Sequence, residues 1–132
     1  MIYLLDTDTC IYLLQGKAPG ITERLRNLRP EDVGTTTITA AELHYGAQHS
    51  ARTTQNLARV ETFLRFLPQI PFDTACARHY GELKHALASR GTLIGPMDLL
   101  IAAIAVSNEA ILVTNNTREF SRVPRLRSEN WL

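Results

Sequence analysis

Four apolar residues, Ile2-Tyr3-Leu4-Leu5, stand at the start of the chain with no polar residue between them, and Asp6 ends the run. A strand with one wet face alternates. A strand with both faces covered does not, so this run predicts a short strand inside a parallel sheet. A parallel neighbour needs a crossover, normally a helix, before the next strand. The rest of the chain must therefore alternate strand with helix, and it does. A helical pattern follows Asp6 to about Gln15, with Gly16 as its stop, and a second runs from Pro19 to Pro30. Val33 to Ile38 is Thr-rich and β-branched, predicting a second strand. Thr39-x-x-Glu42 has the form of a capping box and predicts a helix opening there and ending near Gly46. Leu57, Val60, Phe63, Leu64 and Leu67 mark an amphipathic helix over Arg52 to Leu67. Ile70 to Phe72 predicts a strand, Asp73 to Arg90 a long helix, Pro96 the first residue of another, and Ile111 to Thr114 a buried strand. Val123 to Trp131 predicts an edge strand. The expected fold is α/β, with a parallel sheet of about four to five strands between helices, and residues 1–132 forming one domain.

The Pro96 helix continues Leu-Leu-Ile-Ala-Ala-Ile-Ala-Val, apolar on every face, so it belongs in the core. Asp98 in its first turn then lies at the mouth of a buried element. Such positions recur. Asp6 ends the first strand, Glu42 opens the helix after the second, and Asn116 follows the Ile111 strand with Glu119 three residues on. Each has a local explanation as a helix cap or a charge suited to a helix N-terminus. A parallel sheet, however, gathers its strand ends on one edge, where ligands bind in open α/β folds. Asp6, Glu42, Asp98 and Asn116 are therefore expected in one cleft. Three carboxylates held together need a cation. Oxygen ligands without a His or Cys cluster point to Mg²⁺ or Mn²⁺. The charge balance agrees: fourteen Lys and Arg face thirteen acids, and setting aside Asp6, Asp8, Glu42 and Asp98 leaves nine acids and a body of net +5. Such a body suits a phosphate-bearing substrate reached through metal.

Asp6 after the first strand, Glu42 after the second, Gly95-Pro96-x-Asp98 and Thr114-Asn115-Asn116-Thr117-Arg118-Glu119-Phe120 together resemble the PIN-domain nucleases, and among them the VapC toxins of VapBC toxin–antitoxin pairs. The resemblance runs to the closing Glu129-Asn130-Trp131. It implies a PIN-like three-layer fold and a Mg²⁺-dependent endoribonuclease, with tRNA among its candidate substrates. It also implies neutralisation by a VapB-type antitoxin, pairing into a homodimer, and contact with DNA only through the antitoxin. Water would attack the phosphodiester, leaving a 5′-phosphate and a 3′-hydroxyl. On this resemblance Asp6, Glu42, Asp98 and Asn116 are the catalytic set, with Asp6 and Asp98 as metal ligands. Asn116 stands where the pattern often has Asp, so the charge there is missing, and Glu119 could supply it. Asp8 and Thr114 are supporting residues. Arg118, Arg122, Arg125 and Arg127 follow the Asn116 loop and are expected to hold RNA phosphates.

Asp6-Thr7-Asp8-Thr9 after a hydrophobic strand also suits a haloacid-dehalogenase-type phosphatase with Asp6 as nucleophile. That chemistry needs a later lysine and a paired acid motif, and Lys84 is the only late lysine. A PIN-like module without activity is the other alternative, on account of Asn116. Cys10 and Cys76 lack metal-ligand spacing and are expected as buried, reduced thiols. No apolar run is long enough to span a bilayer, which predicts a cytoplasmic protein with no membrane partner.

Overall fold

The computed structural model describes residues 1–132. The strands are β1 (Tyr3–Leu5), β2 (Val33–Thr36), β3 (Gln69–Ile70), β4 (Ile111–Val113) and β5 (Arg127–Glu129). The helices are α1 (Thr7–Leu14), α2 (Pro19–Arg26), α3 (Thr37–Gln48), α4 (Thr53–Arg65), α5 (Thr74–Ser89), α6 (Pro96–Ser107) and the single turn α7 (Thr117–Phe120). All strand pairs are parallel, in the order β3-β2-β1-β4-β5, with Leu4 opposite both Gly34 and Leu112. The central position of β1 explains its unbroken apolar run. Leu4 faces a core built with α5 and α6 (Leu83, Leu87, Leu99, Ile101, Ile104). Leu5 faces a second core built with α1 to α4 (Cys10, Ile21, Leu43, Val60, Leu64). The result is three layers, helices–sheet–helices. α6 carries the apolar run read from the sequence, and Ile101 to Ala105 are completely buried. Truncating one such residue, Leu99 or Ile104, to Ala costs about 2–5 kcal/mol.

One close approach fixes the β2–β3 side. A Cβ on Gly34 would stand 2.8 Å from the Pro68 carbonyl oxygen, which instead accepts a hydrogen bond from the Thr35 N–H at 2.8 Å. Any side chain at position 34 would push the strands apart.

Several boundaries differ from the sequence expectation: α2 ends at Arg26 rather than Pro30, β5 is Arg127–Glu129 rather than Val123 to Trp131, and three more shape the sheet and α3. β2 stops at Thr36, and α3 begins at Thr37 with Thr36 as its cap, the Thr36 hydroxyl accepting from the Thr39 N–H at 3.0 Å. Thr36, Thr37 and Thr39 can all cap a helix, and parallel pairing of Thr36 with Ile70 in the sheet selects the first. The expected Thr39–Glu42 capping box is therefore not formed, and Glu42 lies one turn further into α3. β3 is Gln69–Ile70, earlier than expected, because Phe72 turns to pack against Tyr80 and the α5–α6 core. Both cysteines are buried and unbridged. No helix is long and apolar enough to cross a membrane.

Candidate active site at the carboxyl edge of the sheet

The strand order places the switch point between β1 and β4. From β1 the chain proceeds outward through β2 and β3, and it returns to the other side of β1 as β4. Crevices at such points bind ligands in α/β sheets, and the acids gather here.

Asp6 leaves β1 and is 3% exposed. Its backbone N–H donates to the Val113 carbonyl of β4 at 3.0 Å. Its Oδ1 accepts from the Thr9 N–H at 2.9 Å, which makes it the cap of α1 as well. The cap and the site are one arrangement, because capping holds the carboxylate at the strand end. Burial raises the Asp6 pKa; hydrogen bonds from Thr114 and Thr9 oppose the rise, and the charge of Asp8 adds to it. Asp98, half-buried in the first turn of α6, is pushed up to about 6, first by burial and then by the charges of Glu119, Asp6, Glu42 and Asp8. Five acids from β1, α1, α3, α6 and α7 thus share one field.

Glu42 is held by a group with no role in the sequence reading. The Thr7 hydroxyl donates to Glu42 Oε1 at 2.6 Å and lies 3.1 Å from the Thr39 hydroxyl. The signal was available: Thr7 is the first residue of α1, between two aspartates, facing whatever lies beyond β1. Glu119 has a longer reach than its local pairing suggested. One oxygen accepts from the Asn116 amide at 2.8 Å, and the other accepts from the Gly95 N–H at 3.1 Å. It therefore ties the start of α6, and with it Asp98, to the loop after β4. The Thr114 hydroxyl accepts from the Asn116 N–H at 2.9 Å and shapes that loop.

No three of these side chains close on one point as a finished ligand set. Thr7, Asn116 and Gly95 supply the donors that hold Glu42 and Glu119 in place. The donor chemistry fits a hard divalent cation: only oxygens, several of them carboxylates, gathered where burial and neighbouring charge raise the Asp98 pKa.

The four arginines separate into two pairs. Arg118 and Arg122 are exposed on and just after α7, near the carboxyl edge. Arg125 and Arg127 are at the other end of the sheet, since β5 is parallel to β4 and the chain must cross back before it begins. Arg125 pairs with Glu82 of α5 at 3.2 Å, and Arg127 donates to the Glu109 carbonyl at 3.0 Å. The structure does not bring these two to the carboxylates. Lys84, which a phosphatase would need beside Asp6, lies exposed on α5 over the Tyr80 ring.

The PIN domain family model matches residues 3–126. The chain belongs to the PIN-domain family. Within it, the chain is 43% identical to the tRNA(fMet)-specific endonuclease VapC of Salmonella typhimurium, over 98% of this chain and 97% of that one. It is 40% identical to ribonuclease VapC2 of Rickettsia felis, over 99% and 98%. Solved PIN-domain structures agree in shape. DNA-bound VapBC from Salmonella typhimurium superposes with a TM-score of 0.95 at 42% identity, covering 100% of this chain and 99% of that one. VapBC2 of Rickettsia felis bound to a promoter DNA fragment superposes at 0.93 with 39% identity, covering both chains fully. These relatives do not favour the phosphatase reading.

Proposed function

We infer that this PIN-domain chain is the toxin of a toxin–antitoxin pair, an endoribonuclease that hydrolyses RNA phosphodiester bonds with Mg²⁺ or Mn²⁺. The observation that carries the reading is the shared field of Asp6, Glu42, Asp98 and Glu119 at the β1–β4 switch point. The full-length likeness to VapC ribonucleases supports it. Asp6 and Asp98 are the residues that would hold the cation, with Glu42 beside them on its threonine. A cation held there supplies charge neutralisation at the phosphoryl group and makes water a stronger nucleophile at neutral pH. The chain's own part is placement. Thr9 fixes Asp6, Thr114 shapes the loop that carries Asn116, Thr7 fixes Glu42, and Glu119 fixes the helix that carries Asp98. Asn116 acts as the amide that positions Glu119.

tRNA is the substrate class to test first, because one relative is named for it. A VapB-type antitoxin is the expected partner, by likeness to solved VapBC complexes. DNA contact would then come through the antitoxin, and the cytoplasm is the expected place of action. A groove of about 300 Å³ between α1, α3 and α4, lined by Ile11, Leu14, Leu43, Ala47 and Val60 with Glu42 in its wall, suits an apolar antitoxin segment. The test is cleavage of purified tRNA by wild type, Asp6→Asn and Asp98→Asn, with Mn²⁺ titrated calorimetrically in parallel. Loss of cleavage and of Mn²⁺ heat in both variants is expected. Full activity in Asp98→Asn would refute the site.

A further inference from the structure

With Arg125 and Arg127 at the far end of the sheet, an RNA needs another hold beside the carboxylates. The stretch after Glu42 has the right charge: residues 43–60 contain no acid and carry Arg52, Arg59, His44 and His49. On α3, Glu42, Tyr45 and His49 follow at spacings of three and four, which places them along one stripe of the helix. Tyr45 is 69% exposed. Its ring is nearly parallel to the His49 imidazole, offset from it, with centroids 5.7 Å apart and planes at 10°. A tyrosine left this open contributes little to the fold. It stands one helical turn, about 5 Å along the axis, from the carboxylate that the Thr7 hydroxyl fixes.

We propose that Tyr45, backed by His49, is a stacking platform for one unpaired base of the RNA next to the scissile phosphate, with exposed Arg52 contacting a phosphate beyond it. This rests on the ribonuclease reading above and adds a substrate class to it. A base inside a duplex shows no free face, so the RNA must present a loop or an unstacked nucleotide. Stacking on an aromatic ring tolerates any base. The platform therefore selects for single-strandedness, and sequence choice lies elsewhere.

The probe is a single-stranded RNA dodecamer with one 2-aminopurine, bound in EDTA so that binding is read without cleavage. Wild type and Tyr45→Phe should quench the 2-aminopurine and bind alike. Tyr45→Ala should lose the quench, bind about tenfold more weakly, and in Mn²⁺ show a raised KM at nearly unchanged kcat. Sedimentation velocity on the same proteins separates the other occupant of this face, a second copy of the chain. If Tyr45→Ala weakens binding only while dissociating the protein, the residue is an interface contact and the proposal fails. Undiminished quenching in Tyr45→Ala also overturns it. Absence of cleavage by wild type, with quenching intact, would count against the nuclease reading and leave the platform standing.

Discussion

Asp98 is the residue whose chemistry is most exposed to test. Its pKa is raised to about 6 from 3.8. Between those values the folded protein holds a proton at Asp98 that the unfolded chain has released, so this site favours folding at the acidic end. The advantage is lost as pH rises towards 6, and above that the charged group opposes folding. The metal-free protein should therefore lose stability from pH 4 to pH 6.5 relative to Asp98→Asn. The difference is on the order of 1 kcal/mol once solvent at this half-buried group is allowed for. Melting temperatures across that range, in chelator, measure it. Mn²⁺ at pH 7 should reverse the order, since a cation that binds only the folded wild type stabilises it. Asn116 gives a second test. Because its amide donates to Glu119, Asn116→Asp sets two carboxylates face to face. Its metal-free melting point should fall, by about 1 kcal/mol in stability, and its gain on adding Mn²⁺ should exceed that of wild type.

At the scale of elements, Glu119 joins α7 to the start of α6 across 24 positions of sequence. Glu119→Ala leaves the Gly95 N–H and the Asn116 amide without their partner and frees the turn bearing Asp98. Cleavage should fall at least about tenfold, as expected when a reacting group shifts by an ångström or so, while Glu119→Gln should retain more, its carbonyl oxygen still accepting from one of the two donors. Single-turnover rates distinguish them. This contact also marks where sequence reasoning stops. The strand ends were legible at Asp6 and Asn116, because an apolar run broken by a polar side chain has one simple explanation in a parallel sheet. Glu42 was placed near the site because it opens the helix after the second strand; the capping box weighed as its local explanation does not form, since three neighbouring threonines offered equivalent caps and only the sheet register chose among them. Glu119 was visible only as a partner for Asn116. Arg125 and Arg127 seemed close to the site because they are close in sequence, but the return crossing that a parallel β5 requires takes them to the opposite edge.

For the whole molecule, two interactions follow from what the surface leaves uncovered. Phe66 at the end of α4 is 78% exposed, beside the half-buried Phe63 and Leu67. A monomer gains nothing by holding an aromatic ring in water, so this end of α4 is the expected homodimer contact. Phe66→Glu should turn a dimer into a monomer in sedimentation at micromolar concentration; an unchanged sedimentation coefficient would place the contact elsewhere. The antitoxin should compete with metal. The acidic crevice invites an arginine, and the neighbouring groove offers the apolar hold that supplies most of the affinity. Antitoxin affinity should then weaken in saturating Mg²⁺, and Asp98→Asn should blunt that effect. Indifference to both would mean inhibition by covering the RNA surface alone.

The order β3-β2-β1-β4-β5 has a further consequence for how the protein comes into being. Asp6 is made among the first residues, but the strand that closes on its flank is made among the last, at Ile111–Val113. Until then the first strand has an open side, and the crevice lacks Asn116 and Glu119. A chain interrupted on the ribosome before β4 therefore carries Asp6 at the end of a strand paired on one side only, and an incomplete crevice. The poison is assembled only when synthesis is nearly over. A partner translated before it has that whole interval in which to fold and be waiting.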